Sequence, residues 1–334
     1  MSQETEIPWC NSTWNWAMGC TKVSPGCAYC YAEESLPAKF QGIKWGDAAE
    51  RRIASDATFN APLRWNKKPW VCDGCGEAFQ TKDEATGTWN AKACKEGATV
   101  HRRRVFSLSL GDWLDRKIPA QVRARAMAII HRCQDIDFLL CTKRPELFQD
   151  LAEAAQDWHF DHGDRNVTGW IQDWRKHGIY PKNVWVIASA EDQERLDERV
   201  PHLLNIPAVV HGLSLEPLLG PIEFNGPRLE WLAPFKDTDA MLRKTPRIDW
   251  CIVGGESGKN ARPCNVEWIR SIKDQCVAAG VPPFVKQLGS NPRCRNGAGY
   301  YDCPAQLRLK HPKGGDPAEW PEDLRVRQFP EVQR

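Results

Sequence analysis

The sequence has no long apolar run. No stretch approaches the roughly 18 residues needed to span a bilayer, and the opening MSQETEIPWC lacks the basic segment and apolar stretch of a signal peptide. A membrane role is therefore not expected, and the chain reads as cytoplasmic. Charge of one sign is lacking too: 45 Lys and Arg against 43 Asp and Glu leave a formal net charge of +2. No global field calls for a polyanion, so nucleic-acid binding has to rest on local patches. Internal repeats and low-complexity tracts are absent. The chain is instead rich in Trp, with 16, and Cys, with 14. In a reducing compartment such cysteines are metal ligands or small buried hydrophobes rather than disulfides. Many tryptophans sit beside polar residues, as in LRWNKKPW and QDWRKHG; they serve core and rim packing or stack on bases and sugars.

At 334 residues the chain can form one large α/β domain with insertions, or two domains. The first hundred residues show little periodicity. From residue 104 strands alternate with helices: strands over 104–112, 137–144, 183–192, 208–217, 249–258 and 282–289, and helices over 119–134, from Pro145, over 193–204 and over 265–280. With one more unit for the N-terminal cysteine segment, this predicts a partial (β/α)6–7 TIM-like barrel on a parallel sheet. The barrel comprises 1–65 and 104–289, a small insertion occupies 66–103, and 290–334 is a loop-rich extension. Residues 157–182 form an aromatic, charged interruption. The strands end in polar groups, Ser109 and Asp112, Thr142 and Lys143, Ser189 and Glu191, Ser214 and Glu216, Glu256 and Ser257, Lys286 and Gln287. Such ends gather at one mouth in parallel α/β folds.

Two cysteine constellations stand out. GCTKVSPGCAYCYA (19–32) carries Cys20, Cys27 and Cys30. Three thiolates on a turn-forming loop suit a zinc site completed from afar, with Cys10 a candidate, or an iron–sulfur cluster with one iron left open. WVCDGCGEAF adds Cys72-x2-Cys75-Gly, a knuckle, with Cys94 and His101 downstream. Those four residues would make a closed structural zinc site, completed by another residue if His101 merely opens the basic run HRRR. RWNKKPW and HRRR flank this module and present Arg, Lys and Trp together, a surface suited to phosphates and unstacked bases or a plain solvated face. Arg102 and Arg103 there, with Lys143, Arg144 and Lys286 at strand ends, are candidate substrate-binding cations. Cys133, Cys141, Cys251 and Cys276 lie on apolar faces and read as core.

The segment WNWAMGCTKVSPGCAYCYA (14–32), followed by LCTKRP (140–145), LSLEPLLGPI (213–222), VGGESGKNARP (253–263), WIRSIKDQCVAAGVP (268–282) and VKQLG (285–289), resembles a phage-encoded and bacterial family long catalogued as a domain of unknown function. Its C-A-Y-C resembles the end of the radical SAM signature. There the first two cysteines are normally three residues apart; here six residues separate Cys20 from Cys27. The resemblance implies a 4Fe-4S cluster on Cys20, Cys27 and Cys30, with S-adenosyl-L-methionine (SAM) on the fourth iron and an external electron donor. It also implies SAM contacts from strand ends: Ser109, Asp112, Ser189, Glu216 and Glu256, with close backbone approach at Gly254 and Gly255. Glu216 fits equally a rim salt bridge.

Three functions follow as expectations. One is radical modification of a nucleobase in phage DNA, in the host-cell cytoplasm. The family resembles radical SAM enzymes of phage thymine hypermodification, which implies isomerisation of a glycyl adduct on modified thymine. The second is the same chemistry on a peptide, free nucleoside or small metabolite. The third is a zinc-dependent nucleic-acid-binding protein without catalysis.

Overall fold

The structure, a computed structural model, describes residues 5–86, 99–232, 246–296, 299–301 and 309–332. Its centre is a curled, seven-stranded, wholly parallel sheet: β1 (Ser12–Trp14), β2 (Arg104–Ser107), β3 (Asp137–Thr142), β4 (Val184–Ser189), β5 (Val210–Leu215), β6 (Trp250–Gly254) and β7 (Pro283–Gln287). Spatial order equals chain order, so each strand joins the one before it. That is the single winding of a TIM-like half-barrel. Register runs Ser12 to Val105, Leu139 to Trp185, Gly212 to Trp250 and Ile252 to Phe284. Strands such as DFLLCT and VWVIAS are apolar on both faces because both are covered.

Five longer helices pack on the outer face: α1 (Ala120–Arg132), α2 (Phe148–Asp161), α3 (Arg165–Lys176), α4 (Gln193–Leu204) and α5 (Val266–Ala278). The Asp164, Asp192 and Asn265 side chains cap α3, α4 and α5, each accepting from a first-turn backbone N–H. Residues 157–182, expected as an interruption, are instead the end of α2 and all of α3, so the crossover from β3 to β4 is a helix pair. The strand expected over 104–112 stops at Ser107, since Leu108 has φ of 60° and turns the chain.

The inner face is filled at its N-terminal end by aromatics. Trp9, Phe106, Trp185, Trp250 and Phe284 form one cluster, joined by Phe329 from the tail. The tail runs antiparallel along β7: the Val285 N–H donates to the Val326 carbonyl (2.8 Å) and the Gln328 N–H to that of Pro283 (3.0 Å). This covers an otherwise open sheet edge. None of the described tryptophans is exposed. They pack the fold, and a surface of stacking tryptophans is not found among them. Residues 70–102 contribute a small antiparallel sheet, Trp70–Cys72 between Ala78–Phe79 and Val100–Arg102, beside the start of β2. Among the described residues no helix is long and apolar enough to cross a membrane.

Candidate functional site

The three-cysteine loop follows β1 and lies at the C-terminal end of the sheet, where strand ends converge. Cys20, Cys27 and Cys30 are all half-buried and none is in a disulfide. Their surroundings differ. The Cys20 sulfur accepts from both terminal nitrogens of Arg144, at 3.6 and 3.5 Å. Burial pushes its thiol up to about 12, Asp112 adds to this, and Arg144 opposes it. The Cys27 sulfur lies 3.8 Å from the Ser24 hydroxyl, within a short 3-10 turn over Pro25–Cys27. Cys30 precedes the short helix Tyr31–Glu34 and packs against a small cluster of Met18, Ala32 and Leu110.

Ion pairs at the strand ends hold this loop. Arg144 donates to Asp112 at 2.7 Å, and Asp112 also accepts from the Thr142 hydroxyl (2.7 Å) and the Lys143 N–H (2.9 Å). Burial works against the Arg144 charge, yet Asp112 and Cys20 keep its pKa above the ordinary arginine value. Glu191, fully buried after β4, pairs with Arg199 at 3.0 Å and accepts the Gly26 N–H at 2.9 Å. Burial opposes its charge too, but Lys143, Ser24 and Arg199 together hold its carboxyl below the usual range. Glu256, after β6, takes a two-pronged contact from Arg262 (2.8 and 2.6 Å), and Arg262 also donates to the Pro25 carbonyl at 2.9 Å. Glu216 and Lys286 pair at 3.2 Å beside Tyr31.

Most of the expected SAM contacts thus come together at one mouth, but several are engaged within the protein. Ser109 exchanges hydrogen bonds with Asn15 and its carbonyl accepts from Tyr31. The Ser189 hydroxyl lies 3.4 Å from the Cys141 sulfur. A Cβ on Gly254 would come within 2.7 Å of a Glu216 oxygen, and one on Gly255 within 2.4 Å of the Leu288 carbonyl. The close approach at both glycines is therefore to neighbouring parts of this chain. Among the candidate cations, Lys143, Arg144 and Lys286 are at this mouth. Arg102 and Arg103 are not. At the opposite, N-terminal end of the sheet, Arg102 donates to the Asp135 and Gln134 carbonyls, and Arg103 is buried on the Ser12 hydroxyl. Of the residues that anchor the loop, Glu191 is read from the sequence only as a polar strand end, and Arg262 is not singled out. The signal for Glu191 was an acid just past a strand with an arginine eight residues on, and for Arg262 its place in the GGESGKNARP segment.

The second cysteine module also lies at the N-terminal end. Cys72 is buried and Cys75 exposed, on a turn closed by the Gly76 N–H donating to the Cys72 carbonyl. Cys94 falls outside the described residues. The small sheet pairs Cys72 with Val100 and Val71 with His101. Directly opposed residues share a face and adjacent ones alternate, so His101 faces away from Cys72. Its Nδ1 lies 2.7 Å from the Arg102 carbonyl and its Nε2 2.8 Å from an Arg104 guanidinium nitrogen. His101 is thus turned from Cys72 and engaged by Arg102 and Arg104.

The donor set of the loop suits a thiolate-bound cluster in kind: three half-buried cysteines on one short segment, beside arginine and backbone donors that can meet sulfur. Among the described residues no three His, Cys, Asp or Glu side chains converge on a common point. A separate cavity of about 540 Å³ on the helical side, lined by residues including Phe59, Arg125, Trp158 and His159, contains none of these thiols. No curated protein and no solved structure matches the chain. A family model does, over residues 4–310, and the chain belongs to that family, described as protein of unknown function (DUF5131).

Proposed function

We propose that the chain is a radical SAM enzyme whose cluster is held by Cys20, Cys27 and Cys30, and that it modifies a nucleobase of phage DNA. The observation that carries this reading is the place of the loop: three half-buried thiols directly after the first strand of a singly wound parallel half-barrel, at the mouth where the other strands end. When bound, the cluster and SAM supply a 5′-deoxyadenosyl radical that takes hydrogen from an unactivated carbon. The chain's own residues orient and exclude. Arg144, braced by Asp112, presents guanidinium hydrogens to the Cys20 sulfur. The Glu216–Lys286 pair and the Ser189 hydroxyl offer polar groups above an apolar inner face that keeps water out from below. Half-exposed Tyr29 and Tyr31, next to Arg262 and Lys286, give the rim aromatic and cationic groups that suit an unstacked base and its phosphate. Cys72 and Cys75, with Cys94, hold a structural zinc in this reading.

The test is anaerobic purification with iron, acid-labile sulfide and zinc analysis, followed by reductive SAM cleavage with and without modified phage DNA. Iron and sulfide in equal amounts, with cleavage stimulated by that DNA, is the expected result. Colourless protein that holds zinc but no iron after anaerobic reconstitution would overturn the enzyme. Stimulation by free nucleoside but not by DNA would move the substrate to a small molecule.

A further inference from the structure

We infer that the six residues between Cys20 and Cys27 are a clasp that sets the three-cysteine loop in place before any metal arrives, with Glu191 and Arg262 as its positioning residues. The segment is TKVSPG, and it is pinned at both ends. At its start, the Thr21 hydroxyl accepts from Arg51 at 2.6 Å, and Arg51 is itself paired with buried Asp115 at 2.8 Å. The Thr21 carbonyl accepts from Arg144, the same guanidinium that meets the Cys20 sulfur. At its end, the Pro25 carbonyl accepts from Arg262 and the Gly26 N–H donates to Glu191. Arg51 comes from the N-terminal segment and the other anchors from the loops after β3, β4 and β6, so the clasp spans the mouth.

Space at Gly26 shows how closely the clasp is fitted. A Cβ there would lie 2.8 Å from the Glu191 Cδ and 3.1 Å from each carboxylate oxygen. Gly26 has no left-handed φ, so glycine is required by the neighbour and not by the backbone. Glu191 cannot retreat, being fully buried and tied to Arg199. An unpinned segment would keep its backbone conformational entropy, all of it to be lost when three thiols are brought to one ligand. Anchoring the spacer removes that loss at the moment of binding. A spacer longer than the usual three residues is thereby put to use: its extra length reaches the buried carboxylate.

That a cluster is the ligand rests on the proposed function; the clasp is tested on the metal-free chain. Hydrogen exchange read by mass spectrometry on peptides covering 19–32 should show protection in metal-free wild type. In Gly26→Ala exchange there should be at least about tenfold faster, with the strands of the sheet unchanged. Glu191→Gln leaves Arg199 with a weaker partner and could unfold the region; Gly26→Ala leaves that pair intact. The double variant Gly26→Ala with Glu191→Asp withdraws the carboxyl by one carbon, makes room for the methyl and should restore much of the protection, which a general loss of structure would not. Gly26→Ala exchanging like wild type, or an unprotected wild-type loop, overturns the clasp. Wild type that takes up no iron defeats the cluster reading, while the exchange result still decides the clasp.

Discussion

The two ends of the parallel sheet treat buried charge in opposite ways. At the C-terminal end, partners outweigh burial for the ion-paired groups, Glu191 being held below the usual carboxylate range and Arg144 above its own, while the Cys20 thiol is still raised by burial. At the N-terminal end burial wins. Arg104 is brought down to about 10, His101 down to about 4, and Asp137 is pushed up to about 7, in each case mainly by loss of water. The difference teaches where each end spends its polar groups. Compensated pairs are costly to separate and hold a loop in one position. Under-compensated ones are carried along by an aromatic interior, in which Trp250, Phe284 and Phe329 pack together and Arg104 lies 3.5 Å over Phe329.

The largest expected contrast separates the two cysteine sites. Cys27→Ala should abolish iron uptake and SAM cleavage while zinc content is kept. Cys72→Ala should lower zinc content and solubility while folded protein still takes up iron. Metal analysis of both variants, side by side, checks this. Equal loss of iron in the two would erase the division between the ends.

A smaller effect concerns pH. Asp137 begins β3 at the N-terminal end, and burial raises its carboxyl to about 7 against the pull of Arg102 and Arg104. Folded chains therefore keep a proton that unfolded chains release near the ordinary value of 3.8. The stability from this group is full below that value and is lost as pH rises through about 7, at no more than ~1.4 kcal/mol per pH unit. Asp137→Asn does not titrate. Its stability relative to wild type should climb between about pH 4 and pH 7 and then level off. Urea midpoints across that range measure it. A constant difference would mean that Arg102 and Arg104 compensate Asp137 as fully as the C-terminal pairs are compensated.

The winding of the fold was legible because strands buried on both faces read as apolar runs. Helices such as Gln193–Leu204 also matched their expected bounds. The β3 to β4 crossover was less legible: HFDHGDRNVTGW mixes charge and aromatics, and while Phe160 stays exposed, Trp170 packs on Trp174, which in turn packs on Trp113 and Phe148. At the candidate site, residue types and strand ends could be read, so Asp112, Arg144, Glu216 and Lys286 do meet at one mouth. Their pairing could not, because partners such as Cys20 and Arg144 lie 124 residues apart. The basic run HRRR shows the same limit in reverse. As sequence it is a cationic patch; in space Arg103 and Arg104 are buried.

The smallest expected effect is the sharpest test of the N-terminal end. His101 stands one position from the partner of Cys72 in the small sheet and so faces away from it. Burial, helped by Arg104, holds it neutral at pH 7, with Nε2 accepting from that guanidinium. Gln offers a carbonyl oxygen to the same donor. His101→Gln should therefore leave zinc content at the wild-type level and change stability by no more than ~1 kcal/mol. Cys75→Ala, prepared in parallel, should lose zinc. If His101→Gln loses zinc as well, the ring reaches the metal, the strand register that turns it away is wrong, and the N-terminal end too is organised around a bound ligand.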